Sequence, residues 1–352
     1  METLEWSRQS LTGTDCACGS KRKTSVWLSK NSSAEQTLQE AVKSNRSVFG
    51  KMMDRVWVRK TPGVSRKTAA TSAKPAQPPG PCPDTPPSLV GPLLVEFETE
   101  RSLDRVREQL GSVLQQGGRF KPPDCTARQK VVVIIPFRNR YEHLTHWLFY
   151  LHPVLMRQQL DYGVYVINQD GDGTFNRAKL MNIGFVEALI EYDYDCFVFS
   201  DVDLIPLDDR NLYRCSDHPR HLSVAIDKFN YILSSQTAFG GVSLLTKEQF
   251  LKVNGFSNTF WGWGGEDDDL YNRITVRGMS ITRPDARIAR YKMIKHGRDL
   301  HNEVNPENAI KMQKTAENID TDGLNSLNFT VNEVLKDVLY TFVSVDLQAP
   351  SQ

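Results

Sequence analysis

No stretch of this sequence approaches the ~18 consecutive apolar residues that a membrane-crossing helix needs. The first thirty residues also lack the apolar segment of a signal peptide. Charge of one sign is equally scarce: 43 Lys and Arg stand against 42 Asp and Glu, for a formal net charge of +1. A dedicated nucleic-acid binder would be strongly basic, so nucleic acid is not an expected partner. Cysteine is sparse, at six in 352 residues. Cys16-Ala-Cys18 is too short for a zinc knuckle, and no second pair or His-rich partner completes one. Core-forming material is present in ordinary amounts: 39% of residues are hydrophobic and 9% aromatic, which excludes a collagen-like or wholly disordered chain. The length suits one large domain or two modest ones.

The balanced total conceals an uneven distribution. Residues 1–80 hold 14 basic and 6 acidic side chains, leaving 29 basic against 36 acidic for the rest. The segment 71–92 holds 8 of the 18 prolines. Such a stretch buries too little apolar surface to offset the entropy of ordering it. Residues 1–92 are therefore expected to be a disordered, basic, Pro-ended stem, and 93–352 the folded domain. Three Asn-X-Ser/Thr triplets, at Asn31, Asn45 and Asn328, are about what chance supplies and point only weakly to a secretory compartment.

From Lys130 the pattern changes. Val131-Val-Val-Ile-Ile-Pro136 is a short β-branched run suited to a strand buried on both faces. Residues 141–159 read as a helix that Pro153 breaks or kinks. Tyr162–Ile167 reads as a second strand, Phe175–Glu191 as a helix and Cys196–Ser200 as a third strand. Strand, helix, strand, helix, strand at this spacing predicts an α/β fold around a parallel sheet. Later strands are expected near 223–227, 241–245 and 288–294, and helices over 247–254 and 267–277. Ligands in such sheets bind beyond the carboxyl ends of the strands. The first strand there is followed by Arg138 and Arg140, the second by the loop to Phe175 and Arg177, and the third by Asp201-Val202-Asp203. Arginine forks suit a diphosphate, and a carboxylate pair suits a divalent cation bridging its oxygens.

Trp261-Gly-Trp263-Gly-Gly265-Glu266-Asp267-Asp268-Asp269 combines a glycine-aromatic loop with an acid run that opens a helix. The helix dipole alone favours acids there. Four in a row exceed that need, and one of them could take a proton from an acceptor hydroxyl while Trp offers its apolar face to a sugar ring. Met293 and His296 end a later strand; spacing alone names neither as a ligand, because thioether suits a hard cation poorly.

Taken together, Pro136-Phe137-Arg138-Asn-Arg140, Phe175-Asn-Arg177-Ala-Lys179, Phe199-Ser-Asp201-Val202-Asp203, Phe239-Gly-Gly-Val242, the Trp261–Asp269 run and Met293-Ile-Lys-His296 resemble the β-1,4-galactosyltransferase family over about 125–346. The likeness is greatest to the founding, N-acetyllactosamine-forming type. It implies a GT-A fold, with a mixed, mostly parallel sheet and flanking helices. It also implies an inverting transfer of galactose from UDP-galactose, in β-1,4 linkage, to terminal N-acetylglucosamine of glycans, with Mn²⁺ as cofactor. By the same resemblance Asp203, Met293 and His296 would ligate the metal, and Pro136, Phe137, Arg138, Arg140, Phe175, Arg177, Asp201 and Val202 would hold UDP and the donor. Trp263 would close over the donor. Asp267 would be the base, assisted by Glu266, with Phe229, Gly265 and Asp268 on the acceptor side. The segment 295–314 would form a lid. Cys196 would pair with Cys215, and Cys82 with Cys125.

The chain departs from the family pattern at several places. Ala238 stands where relatives carry Tyr, which opens the donor pocket and raises a rival reading as a β-1,4-N-acetylgalactosaminyltransferase. Asn308-Ala309 replaces Arg-Phe, and 235–238 lacks an aromatic pair, so acceptor selectivity, the response to α-lactalbumin and acceptor stacking are expected to differ. An inert carbohydrate-binding protein is a further rival, against which the intact Asp203, His296 and Asp267 argue. The family implies a Golgi location, a lumenal catalytic domain in type II topology and membrane association, with a homodimer as one option. No anchor is visible in this sequence, so an atypical or incomplete reading frame is expected at the N-terminus.

Overall fold

The computed structural model describes residues 79–297 and 299–350. The basic stem over 1–78, with Asn31, Asn45 and the Cys16–Cys18 pair, lies outside the described residues. A short helix α1 (Leu103–Leu110), capped by the Ser102 hydroxyl, precedes the sheet. Then follow β1 (Lys130–Phe137), α2 (Tyr141–Arg157), β2 (Asp161–Gln169), α3 (Arg177–Glu191) and β3 (Cys196–Ser200). Short strands β4 (Leu204–Pro206), β5 (Arg220–His221) and β6 (Ala225–Ile226) lead to β7 (Val242–Thr246) and α4 (Lys247–Lys252). The chain continues with α5 (Glu266–Val276), β8 (Arg290–Met293), α6 (Glu307–Gln313), α7 (Thr315–Asn318), β9 (Thr330–Lys336) and β10 (Thr341–Asp346).

The main sheet has the order β5-β7-β3-β1-β2-β10-β9, and a smaller one has the order β4-β8-β6. β3, β1, β2 and β10 run parallel, while β7 and β9 are antiparallel to their neighbours. The carboxyl ends of β1, β2 and β3 therefore share one edge, as their sequence suggests. Val131 to Ile135 are wholly buried between two apolar layers, one built with α2 and the other with α3. Full burial of a Val or Ile side chain contributes about 1.5–3 kcal/mol, which explains why unbroken β-branched runs occupy the middle of the sheet.

Two expectations are corrected. α2 runs on through Pro153 to Arg157. The missing N–H and the ring clash are offset by burial of Trp147, Leu148, Leu151, Val154 and Leu155 on the sheet. Residues 79–92, read from their prolines as linker, pack on the domain. Cys82 is buried and bonded to Cys125, and the Val90 and Gly91 amides donate to the buried Asp209 carboxylate. Cys196 of β3 is bonded to Cys215. Both pairings are those the resemblance implied.

Candidate active site

The site lies at the shared edge. Beyond β1, Asn139 adopts φ 54° and the chain turns into α2. Arg138 stacks on the Phe175 ring at 5.0 Å and donates to the carbonyls of Gly173 (2.6 Å) and Leu300 (3.0 Å). Arg140 reaches Asp299 and donates to His296 Nδ1 at 2.9 Å. Phe137 points the other way: its side chain is buried against Tyr141 and Phe342, so only its backbone, like that of Pro136 within β1, can face a ligand.

Arg177 begins α3, whose N-cap is the Asn176 side chain. Its guanidinium is the hub of the cleft. It donates to Asp201 Oδ1 at 2.7 Å and to Asp267 Oδ1 at 2.6 Å, and lies 3.4 Å from Glu266 Oε1. The strand-end acid and the helix acids, far apart in sequence, thus meet on one cation. Three carboxylates hold the Arg177 charge firmly in place and raise its pKa, although burial opposes this. Burial, with Asp267 next to it, pushes the Glu266 carboxyl up. Burial also raises Asp268, again with Asp267 adding to the shift. The cleft is lined by Phe175, Arg177, Asp201, Gly262, Trp263, Glu266, Asp267 and Asn302.

Asp203 is buried beneath this cleft, next to the buried Val202. Its Oδ2 lies 2.9 Å from His296 Nε2. The β4–β8 pairing sets Leu204 opposite Met293, and the Ile294 amide donates to the Asp203 carbonyl at 2.8 Å. Carboxylate and imidazole are thereby in contact, and Met293 of β8 lies across from the residue that follows Asp203. Among the described residues no third His, Cys, Asp or Glu joins them.

The loop half of the site is held by main chain. Gly262 donates to the Phe175 carbonyl and Trp263 to that of Glu303, both at 2.8 Å. Gly264 and Gly265 adopt φ of 102° and 92°, values that an L side chain rarely tolerates, and this bend swings the chain into α5. Trp263 is half exposed, and Phe229 lies exposed on a 3₁₀ turn. Asn308 is buried; its amide donates to the carbonyls of Trp261 (3.3 Å) and Gly264 (2.8 Å), joining the Trp loop to 295–314.

Asp269 departs from its neighbours in the acid run. It is buried, ion-paired to the buried Arg273 at 2.6 Å, and accepts from the Thr315 hydroxyl. It is a framework residue. Sequence reasoning missed His143, whose ring lies 5.3 Å from that of His296, and the Asp299 partner of Arg140. Both sites depend on contacts between elements distant in sequence, and no local spacing announces them.

An arginine-lined cleft at the strand ends, an Asp-Val-Asp turn and a glycine-hinged aromatic loop opening an acidic helix define a nucleotide-sugar-dependent glycosyltransferase of GT-A architecture. Residues 82–216 match the N-terminal region of glycosyl transferase group 7, and residues 220–297 match the N-terminal domain of galactosyltransferase. The chain is 58% identical to β-1,4-galactosyltransferase 2 of Cricetulus griseus over 271 residues, covering 77% of this chain and 73% of the relative. It is 57% identical to human β-1,4-galactosyltransferase 1 over 270 residues, covering 77% and 68%. Among solved structures, the catalytic domain of Drosophila β-1,4-galactosyltransferase 7, a complex with xylobiose, superposes with a TM-score of 0.55 at 28% identity, covering 63% of this chain and 95% of that one. A mutant of the same enzyme is known with manganese, UDP-Gal and xylobiose. The chain belongs to the β-1,4-galactosyltransferase family.

Proposed function

We propose that the protein transfers galactose from UDP-galactose, with inversion, to the 4-hydroxyl of terminal N-acetylglucosamine on glycoconjugates. The observation that carries this reading is the convergence of Asp201, Glu266 and Asp267 on Arg177 beside the Asp203–His296 pair.

The donor set fits a divalent cation. Asp203 Oδ2 and His296 Nε2 already face one another, and carboxylate and imidazole suit Mn²⁺. Met293 is the third protein ligand by family pattern. When bound, Mn²⁺ neutralises charge developing on the UDP leaving group. Arg138 and Arg140, with forks at the strand edge, orient the diphosphate and add to that neutralisation. Trp263 covers the galactose and, with 295–314, excludes the water that would otherwise hydrolyse the donor. Asp267 takes the proton of the acceptor 4-hydroxyl as that oxygen attacks the anomeric carbon and the bond to UDP breaks. Glu266 and Asp268 orient the sugars, and Gly265 and Phe229 form the acceptor side. A donor panel on free N-acetylglucosamine with Mn²⁺, read by product linkage, tests the reading. No β-1,4-linked galactose in the product would refute it.

Ala238 supports a second donor. The residue follows the exposed segment 235–237 and leads through Phe239 to Gly240, which abuts Asp267. With only a methyl group there, room remains for a C2 N-acetyl group, so UDP-N-acetylgalactosamine is expected to be accepted too. Competition between the two donors decides this. The two disulfides need an oxidising compartment, which supports a Golgi-lumenal catalytic domain. Among the described residues no helix is long and apolar enough to cross a membrane. Membrane association and a homodimer belong to this proposal as family expectations.

A further inference from the structure

Arg283 and His221 lie outside every motif that carries the resemblance, yet they meet directly behind the acids. Arg283 precedes β8. Its Nε donates to His221 Nδ1 at 3.2 Å, and its Nη2 donates to the carbonyls of Gln236 (2.9 Å) and Ala238 (2.8 Å). His221, on β5, is 3% exposed and donates from Nε2 to the Gly240 carbonyl at 2.9 Å. The same carbonyl receives the Ser223 hydroxyl at 2.9 Å, and Ser223 Oγ accepts the Val242 amide at 2.8 Å. Each ring nitrogen of His221 therefore has a fixed role, one accepting and one donating, which describes a neutral imidazole. Burial, with the Arg283 cation next to it, pushes the His221 pKa down to about 4, in keeping with that state.

What this assembly holds is the backbone that touches both acids. The Gly241 carbonyl accepts the Asp201 amide at 2.9 Å. Gly240 approaches Asp267 so closely that a Cβ there would stand 2.2 Å from Oδ2. The preceding segment has no apolar anchor of its own: Ser235, Gln236 and Thr237 are exposed and Ala238 offers only a methyl. Among the described residues, its hydrogen bonds from outside the segment are the two Arg283 donations.

We propose that Arg283 and His221 are positioning residues that fix, through Gln236, Ala238 and Gly240, both the wall of the donor pocket and the seat of the Asp267 carboxylate. This rests on the reading of Asp267 as the base. Arg283→Met removes all three donations. Arg283→Lys keeps a cation that can reach one carbonyl but lacks the fork that also serves His221. Transfer kcat is expected to fall on the order of tenfold in the Met variant and less in the Lys variant, because small misplacements of reacting groups are costly. Affinity for UDP with Mn²⁺, measured calorimetrically, is expected to stay within about twofold of wild type, and the share of donor lost to water is expected to rise.

Unchanged kcat in Arg283→Met overturns the inference, as does a loss of UDP affinity in step with kcat, which would mark a merely structural role. If the Met variant does not fold, wild-type kcat in Arg283→Lys overturns it equally. Asp267→Asn is assayed alongside. Wild-type transfer by that variant refutes the base assignment, whereas an inactive Asp267→Asn beside an unimpaired Arg283→Met refutes the positioning role alone.

Discussion

The two halves of the cleft are built on different principles. The strand half, with Arg138, Asp201 and Asp203, grows from β1 and β3, which are buried on both faces, and β3 is also tied through Cys196 to Cys215. The loop half, with Trp263 and 295–314, is held mainly by main-chain hydrogen bonds such as Trp263 to Glu303 and by the Asn308 amide. The first is secured by apolar burial over many residues. The second depends on a few polar ties, each contributing about 1 kcal/mol. On the proposed function, charge chemistry falls to the half secured by burial and substrate enclosure to the half with fewer ties.

This contrast can be broken or sharpened by substitution. The largest effect is expected at the meeting point of the halves: Asp267→Asn lowers kcat by about a thousandfold while UDP still binds with Mn²⁺, checked by steady-state kinetics and calorimetry. On the strand half, Asp203→Asn raises the Mn²⁺ concentration for half-maximal activity. Losing an outer-shell partner already costs about 10- to 100-fold in metal affinity, and a direct ligand is expected to cost more. Replacing Cys196 and Cys215 by Ser lowers unfolding free energy by about 3 kcal/mol in a denaturant titration, because the bond closes a loop with a sequence separation of 19 residues. The loop half answers more gently. Asn308→Ala removes the donations to Trp261 and Gly264 and is expected to raise KM for UDP-galactose about fivefold while lowering unfolding free energy by about 2 kcal/mol, less than the disulfide loss.

The smallest effect is a pH slope in the framework. Burial pushes His152 and His221 from 6.5 to about 4. The unfolded chain binds protons below about 6.5 that the folded protein refuses, so these residues make stability fall as pH drops from there toward about 4. Burial raises the Glu187 and Glu266 carboxyls to about 7 and so acts in the opposite sense over this range. The histidine share is read as a difference: wild type is expected to lose more stability between pH 7 and 5 than a His152→Gln variant, and equal losses would count against it.

The strand half was nearly legible in the amino-acid order. Val131–Ile135 and Cys196–Ser200 announce buried strands, and the residues that follow them are the ones that meet in the cleft. The break allowed for at Pro153 does not occur, since propensity is local and the burial that overrides it is not. Asp269 looked like one more functional acid because a run of acids does not disclose which way each faces. The prolines of 79–92 suggested a linker, while Cys82 and the amides of Val90 and Gly91 are held by partners 43 and more residues away. The Arg283–His221 contact was invisible for the same reason. Long-range polar pairing leaves no periodic trace in a single sequence.

The buried Asp269–Arg273 pair has a practical side. Arg273 also donates to the Asp322 carbonyl at 2.8 Å, and Asp269 accepts from Thr315 where α7 begins. The orientation of α5 is therefore set from its far side, independently of whatever sugar occupies the front. An engineer seeking new acceptors can vary Ala309, which lies exposed, through many substitutions as a replaceable part. The aim of Asp267 is then inherited from a foundation that those changes leave untouched.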